Sequence, residues 1–195
     1  MIGNTHDETR GFVGADRSLF SLTWNEVPAR LATAMRIDVL PERVVAAYRR
    51  LYPSYSPSDV YFAASTAARS WRSALIEVEA RANANAPAYA YQLDWRAPAE
   101  GGIFGAPHTV DIPLVFGNLE ASTFIGERSA AGEAMSRTMM DALLRFARTG
   151  NPGWAPYTLP QRATMIFDTT SRVENDPRRA EREFFARIPY VQPGT

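Results

Sequence analysis

The sequence has no cysteine, which excludes a disulfide framework and thiolate chemistry and leaves the redox compartment unread. It has no surplus charge either. Its 21 basic and 21 acidic side chains cancel, whereas a general nucleic-acid surface needs excess positive charge to displace counterions from phosphates. No stretch approaches the roughly 18 apolar residues of a membrane-spanning helix, and no basic-then-apolar leader opens the chain. A P-loop is missing, and no glycine fingerprint follows a strand in the manner of a dinucleotide site. Histidine is scarce, with only His6 and His108 present. Imidazole is the side chain best suited to moving protons near neutral pH, so proton-transfer chemistry narrows to two neighbourhoods.

What is present fits one domain. The 195 residues suffice for a single core, and a chain of this size buries about two-thirds of the surface it exposes when unfolded. A helix is predicted over Pro41–Leu51, with Pro41 and Glu42 in its first turn and Val44, Val45, Tyr48 and Leu51 as its apolar stripe. Asn25 to Met35 permits another, with Pro28 restricted to an early turn, and Phe12-Val13 with Ser18 to Trp24 read as a turn and a short helix. Ser56-Pro57-Ser58-Asp59 is a cap signature. Alanine-rich helical composition follows it to Asn83, as one helix or as two with a bend.

Ala88 to Trp95 reads as a strand by its aromatic content, Pro98 to Pro107 as a loop, and Ile112 to Phe124 as short apolar pieces broken by Pro113 and Gly117. Ser129 to Arg148 carries the clearest helical stripe, Met135, Met139, Leu143 and Phe146, stopped by Gly150 and Pro152. Ala163 to Asp168 and Arg172 to Glu174 are two short strands. Arg178 to Arg187 reads as a charged helix with a solvated face. Strands and helices alternate in the order of an α/β protein. Met1 to Asn4 reads as the tail of a strand entering a polar loop, so the chain is expected to begin inside a larger domain.

Two loops carry the chemistry. Gly105-Ala106-Pro107-His108-Thr109-Val110-Asp111, continuing through Ile112 to Gly117, holds a histidine just after a predicted strand and a second acid, Asp111, three residues on. Far upstream, Thr5-His6-Asp7-Glu8 offers two carboxylates, either of which is spaced to orient a base. His6 itself reads as an exposed loop residue. A metal set of His6, Asp7 and His108 has no short ligand spacing to support it.

These two strings, together with Pro87 to Trp95, Phe146-Ala147-Arg148-Thr149-Gly150-Asn151-Pro152, Met165-Ile166-Phe167-Asp168 and Ser171 to Pro177, resemble the C-terminal portion of a type B carboxylesterase. That α/β-hydrolase family includes para-nitrobenzyl esterase-like enzymes and the cholinesterases. The matches keep family order from residue 1 to about residue 183. The resemblance implies the C-terminal part of an α/β-hydrolase fold over residues 1–195, with an incomplete central sheet and packed helices. It implies serine-dependent hydrolysis of small-molecule carboxylic esters without a cofactor or metal, with Glu8 as the triad acid and His108 as general base. Asp7 is then the neighbouring acid, and Asp111 has a structural role.

In such enzymes the imidazole takes the serine proton, and a carboxylate fixes its tautomer and stabilises the imidazolium. The chain order serine, acid, histidine is kept in its last two terms. The first is missing, because no Gly-x-Ser-x-Gly elbow occurs in these residues. Gly126-Glu127-Arg128-Ser129-Ala130-Ala131-Gly132 only imitates one, and Ser129 suits a helix N-cap. Gly101-Gly102 lacks the context of an oxyanion loop. The expectation is therefore a fragment inactive alone, completed by a separate N-terminal chain or prone to self-association, with an edge or face of the 88–94 strand left uncovered. The competing expectation is a non-catalytic interaction module like the cholinesterase-related adhesion proteins. Trp24, Trp71 and Phe116 are candidates for an acyl-pocket wall or for core.

Overall fold

In a computed structural model that describes residues 1–191, the chain builds one four-stranded sheet in the order β1-β2-β3-β4. The strands are β1 (Ile2–Thr5), β2 (Ala90–Leu93), β3 (Ala163–Phe167) and β4 (Arg172–Asn175). The first three run parallel and β4 closes one side antiparallel. Parallel neighbours need long crossovers, and helices fill them. Between β1 and β2 lie α1 (Glu8–Val13), α2 (Val27–Ala34), α3 (Pro41–Leu51), α4 (Pro57–Thr66) and α5 (Arg72–Asn83). Between β2 and β3 lie the single turn α6 (Ala99–Gly102), α7 (Asp111–Phe116) and α8 (Ala130–Thr149). After β4 comes α9 (Arg179–Phe185).

Period-two alternation on β2 decides the layering. Tyr89 and Leu93 pack with Leu114, Met135, Met139, Trp154 and Phe167 on one face, while Ala88 and Ala90 meet Val78 of α5 and Tyr157 on the other. A separate helical core gathers Val27, Leu31, Val44, Tyr48, Phe62 and Phe185. Each such side chain contributes about 1.5–3 kcal/mol by leaving water.

Local signals explain most element ends. Ser56 and Asp59 form a reciprocal capping box at α4, with Pro57 in its first turn. Ser129 caps α8 by accepting the Gly132 N–H at 3.1 Å, and Gly150 ends that helix in the left-handed region at φ 73°. Ser129 is thus a cap, in line with its sequence reading. Among the described residues no helix is long and apolar enough to cross a membrane.

The alanine-rich run after Ser56 forms two α-helices and not one regular helix, and a π-helical segment, Ala67–Trp71, joins α4 to α5. Three other expectations need correction. The apolar run after His108 is not broken at Pro113, because Pro113 sits in the first turn of α7, where a missing N–H costs nothing. The strand at 88–94 is not an edge, since β2 is paired on both sides and the uncharged strand β1 holds the outer position.

The third concerns the arginine-rich end, which does not simply face solvent. Glu181 is buried, accepts Tyr48 Oη–H at 2.7 Å and Tyr52 Oη–H at 2.5 Å, and pairs with buried Arg178. Burial alone would raise the Glu181 carboxyl, but Arg178 and the two hydroxyls outweigh it and hold it below the usual carboxylate range.

Candidate active site

The acid loop and the histidine loop meet because the sheet divides at its upper end. As β1 ends, the His6 N–H still donates to the Leu93 carbonyl at 2.9 Å. Beyond that point β2 swings toward β3, and both Asp94 and Trp95 N–H donate to the Phe167 carbonyl. The loop that follows folds back beside β1, where Asp7 and Pro107 form an isolated parallel bridge. Asp7 N–H donates to the Ala106 carbonyl at 2.9 Å, and Ala106 N–H donates to Asp7 Oδ2 at 3.0 Å. Pairing residue 7 with residue 107 leaves Glu8 and His108 side by side, one step further along each chain.

Glu8 is buried, at 8 % exposure. Its Oε1 accepts the Thr5 N–H at 3.0 Å, and its Oε2 lies 2.5 Å from His108 Nδ1. A carboxylate held this way makes Nδ1 the protonated nitrogen and turns Nε2 into a free base. Among the described residues Nε2 has no hydrogen-bond partner. Phe12 stacks on the imidazole with centroids 4.0 Å apart, and Arg69 lies over the Phe12 ring at 4.3 Å.

Two backbone features make this approach feasible. A Cβ at Gly11 would stand 2.7 Å from the backbone nitrogen of His108, so α1 passes this close only because that residue is glycine. Gly105 turns at φ 62°, and a Cβ there would stand 2.1 Å from Asp7 Oδ2. Thr109 is left-handed as well, at φ 69°, an unusual conformation for a β-branched residue. Its hydroxyl donates to the His108 carbonyl at 2.6 Å.

Asp7 and His6 occupy the other side of the loop. His6 is not the free surface residue its sequence suggests, because its Nδ1 lies 3.3 Å from Asp7 Oδ2. Burial works against the His6 imidazolium, but the Asp7 carboxylate outweighs it and raises the ring above its ordinary value. Burial likewise opposes ionised Asp7, yet His6, the Ala106 N–H and Arg10 together hold its carboxyl below the usual range. Asp111 opens α7 and accepts Tyr91 Oη–H at 3.3 Å instead of touching His108. Burial, reinforced by Asp111, pushes the Tyr91 phenol well up.

Glu8 and His108 open onto a concavity of roughly 560 Å3 that Tyr91, Arg36 and Arg69 also line. Ser70 and Ser73 share it, but neither is hydrogen-bonded to His108. A tighter recess of about 40 Å3 lies under α5, between Trp71, Ala90 and Tyr157, and contains neither residue of the pair. The three aromatics considered for a pocket wall are elsewhere. Trp71 is core, Trp24 packs against the same helical core, and Phe116 is 72 % exposed on α7. The residues that surround the imidazole, Gly11, Phe12 and Arg69, were not singled out in the sequence. Phe12 stands four residues after Glu8, and that helical spacing is the signal that would have found it.

Comparison with known proteins identifies the family and the fold. The chain is 29% identical over 190 residues to the para-nitrobenzyl esterase of Bacillus subtilis, covering 94% of this chain and 37% of that one. A crystal structure of the Geobacillus stearothermophilus carboxylesterase EST55 superposes with a TM-score of 0.77 at 28% identity, over 93% of this chain and 39% of that one. An esterase from Clostridium hathewayi shares the fold at 22% identity and a TM-score of 0.58, over 93% of this chain and 35% of that one. The chain thus spans little more than a third of the length of these relatives. The model of the carboxylesterase family matches residues 54–185, a stretch that includes His108 and not Glu8. The chain belongs to the carboxylesterase family and carries part of its α/β-hydrolase fold.

Proposed function

We propose that Glu8 and His108 are the acid and the general base of a serine-dependent carboxylic-ester hydrolase whose nucleophile lies outside these 195 residues. The observation that carries the proposal is the 2.5 Å contact between Glu8 Oε2 and His108 Nδ1, formed across a hundred residues by the bridge at Asp7 and Pro107. In this reading Nε2 takes the proton from a serine hydroxyl as its oxygen attacks the ester carbonyl. The imidazolium, stabilised by Glu8, returns that proton to the departing alkoxide. Water then repeats the sequence on the acyl-serine and releases the carboxylic acid. The partner segment joins at β1, the uncharged edge of the sheet. The opposite edge strand, β4, is blunted by Arg172 and Glu174.

The test is the chain alone. With short para-nitrophenyl esters it is expected to show no burst and no turnover above background, and a serine-directed phosphonate should leave it unlabelled. Loss of the serine in such triads costs about a millionfold in turnover. A stoichiometric burst, abolished in Ser70→Ala or Ser73→Ala, would place the nucleophile inside this chain and overturn the proposal.

A further inference from the structure

One side chain that moves no proton ties the acid loop, the histidine loop and a core helix together. Arg10 follows Glu8 by two residues in α1 and is 15 % exposed. Its Nη1 donates to the Ile103 carbonyl at 2.8 Å, and its Nη2 donates to Asp59 Oδ1 at 2.8 Å. Its Nε lies 3.3 Å from Asp7 Oδ1. That third contact is electrostatic, because the Nε–H has no aligned acceptor. The Phe62 ring lies 4.6 Å below the guanidinium and keeps water from it.

Ile103 stands before Gly105 in the histidine loop, Asp59 belongs to the α4 capping box, and Asp7 accepts the Ala106 N–H. Arg10 therefore acts on the histidine loop at two points, directly at Ile103 and through Asp7 at Ala106, while α4 anchors it. The loop needs such ties. Gly105 and Thr109 flank His108 in left-handed conformations, which persist only where the surroundings over-determine them.

We infer that Arg10 is a positioning residue, holding the His108 loop in register with Glu8 so that the carboxylate–imidazole contact forms. The inference rests on the acid–base reading above. The side chain must be arginine, because a planar fork donates to Ile103 and Asp59 on separate segments while its Nε edge faces Asp7, whereas a lysine ammonium satisfies such a set as a single point.

The experiment uses the whole chain and two signals that Arg10 touches only at a distance: hydrogen-exchange protection of the Ala106 amide, and the downfield Nδ1 proton of His108 in NMR spectra. The variants are Arg10→Lys and Asp59→Asn. Asparagine keeps an oxygen for the Ser56 cap and removes only the charged partner of Nη2. Arg17→Ala is the control, since Arg17 pairs with Glu100 of the same loop at 2.7 Å with both side chains more than half exposed.

Arg10→Lys is expected to lower Ala106 protection by about tenfold or more and to erase the His108 proton, with cooperative unfolding retained. Asp59→Asn should move both signals less, in the same direction, and Arg17→Ala neither. In an enzyme reconstituted with its nucleophile, Arg10→Lys should cut kcat by about tenfold to a hundredfold with KM unchanged, as for other small misplacements of a catalytic group. If Arg10→Lys does not fold, Asp59→Asn decides by the same two signals. Both signals unmoved in the variants would overturn the assignment of Arg10 alone. A parent chain lacking the Nδ1 proton would overturn the acid–base reading, and the Arg10 assignment with it.

Discussion

At the scale of residues, the carboxylates of the acid loop divide their work. Glu8 faces the imidazole, whereas Asp7 turns to His6, Ala106 and Arg10. The division gives the loop a pH signature. Asp7 has a depressed carboxyl, so its contribution to stability is present above about pH 4, the ordinary carboxylate value, and is lost as pH falls through its lowered pKa. His6 is raised, so its contribution is complete below about pH 6.5 and is lost as pH rises through its raised pKa. Thermal unfolding of the parent against His6→Gln should therefore differ most below about pH 6.5, and the difference should shrink as pH rises through the raised His6 pKa. A difference that stayed constant with pH would show that folding leaves the His6 proton affinity unchanged, against the raised ring. The residue types of Glu8 and His108 were legible because their loops resemble known strings. Arg10 was not, because an arginine in a short helix looks like any surface turn residue.

At the scale of elements, local chemistry was the better guide. The capping box at Ser56, the stop at Gly150 and the strands around residues 90 and 165 all follow from turn and cap rules that act within a few residues. What sequence could not show was any feature set by distant partners. The π segment Ala67–Trp71 leaves no periodicity of its own. The charged helix α9 reads as solvated because the tyrosines that bury Glu181 come from α3 and its end, more than a hundred residues away. That buried group makes a clear test. Glu181→Gln strands Arg178 in the interior, and removing one partner of a buried pair costs about 3–5 kcal/mol. Urea unfolding should register a loss of that order with the slope unchanged, and a loss below about 1 kcal/mol would mean that water reaches the pair.

At the scale of the molecule, the α/β class was legible from element order, and the placement of the sheet edge was not. The sequence suggests an uncovered strand at 88–94, but the chain returns as β3 to cover the free side of β2, which leaves β1 on the outside. No local pattern encodes that return, because strand neighbours are chosen by crossovers. The consequence for function is direct. Glu8 follows the outer strand β1 and His108 sits beside it, so a segment pairing with β1 would arrive next to the proposed acid and base.

The most direct measurement is ester turnover after reconstitution. The chain would be mixed with, or fused to, the portion of a carboxylesterase such as the Bacillus subtilis relative that it does not span. Para-nitrophenyl ester hydrolysis should appear only in the combined protein. His108→Ala should abolish it, Glu8→Gln should lower it by about four decades as acid replacement does in serine proteases, and Asp7→Asn should cost far less. Turnover that persists in His108→Ala, or that collapses in Asp7→Asn while Glu8→Gln stays near the parent, would contradict the assignment of Glu8 and His108 as the catalytic pair.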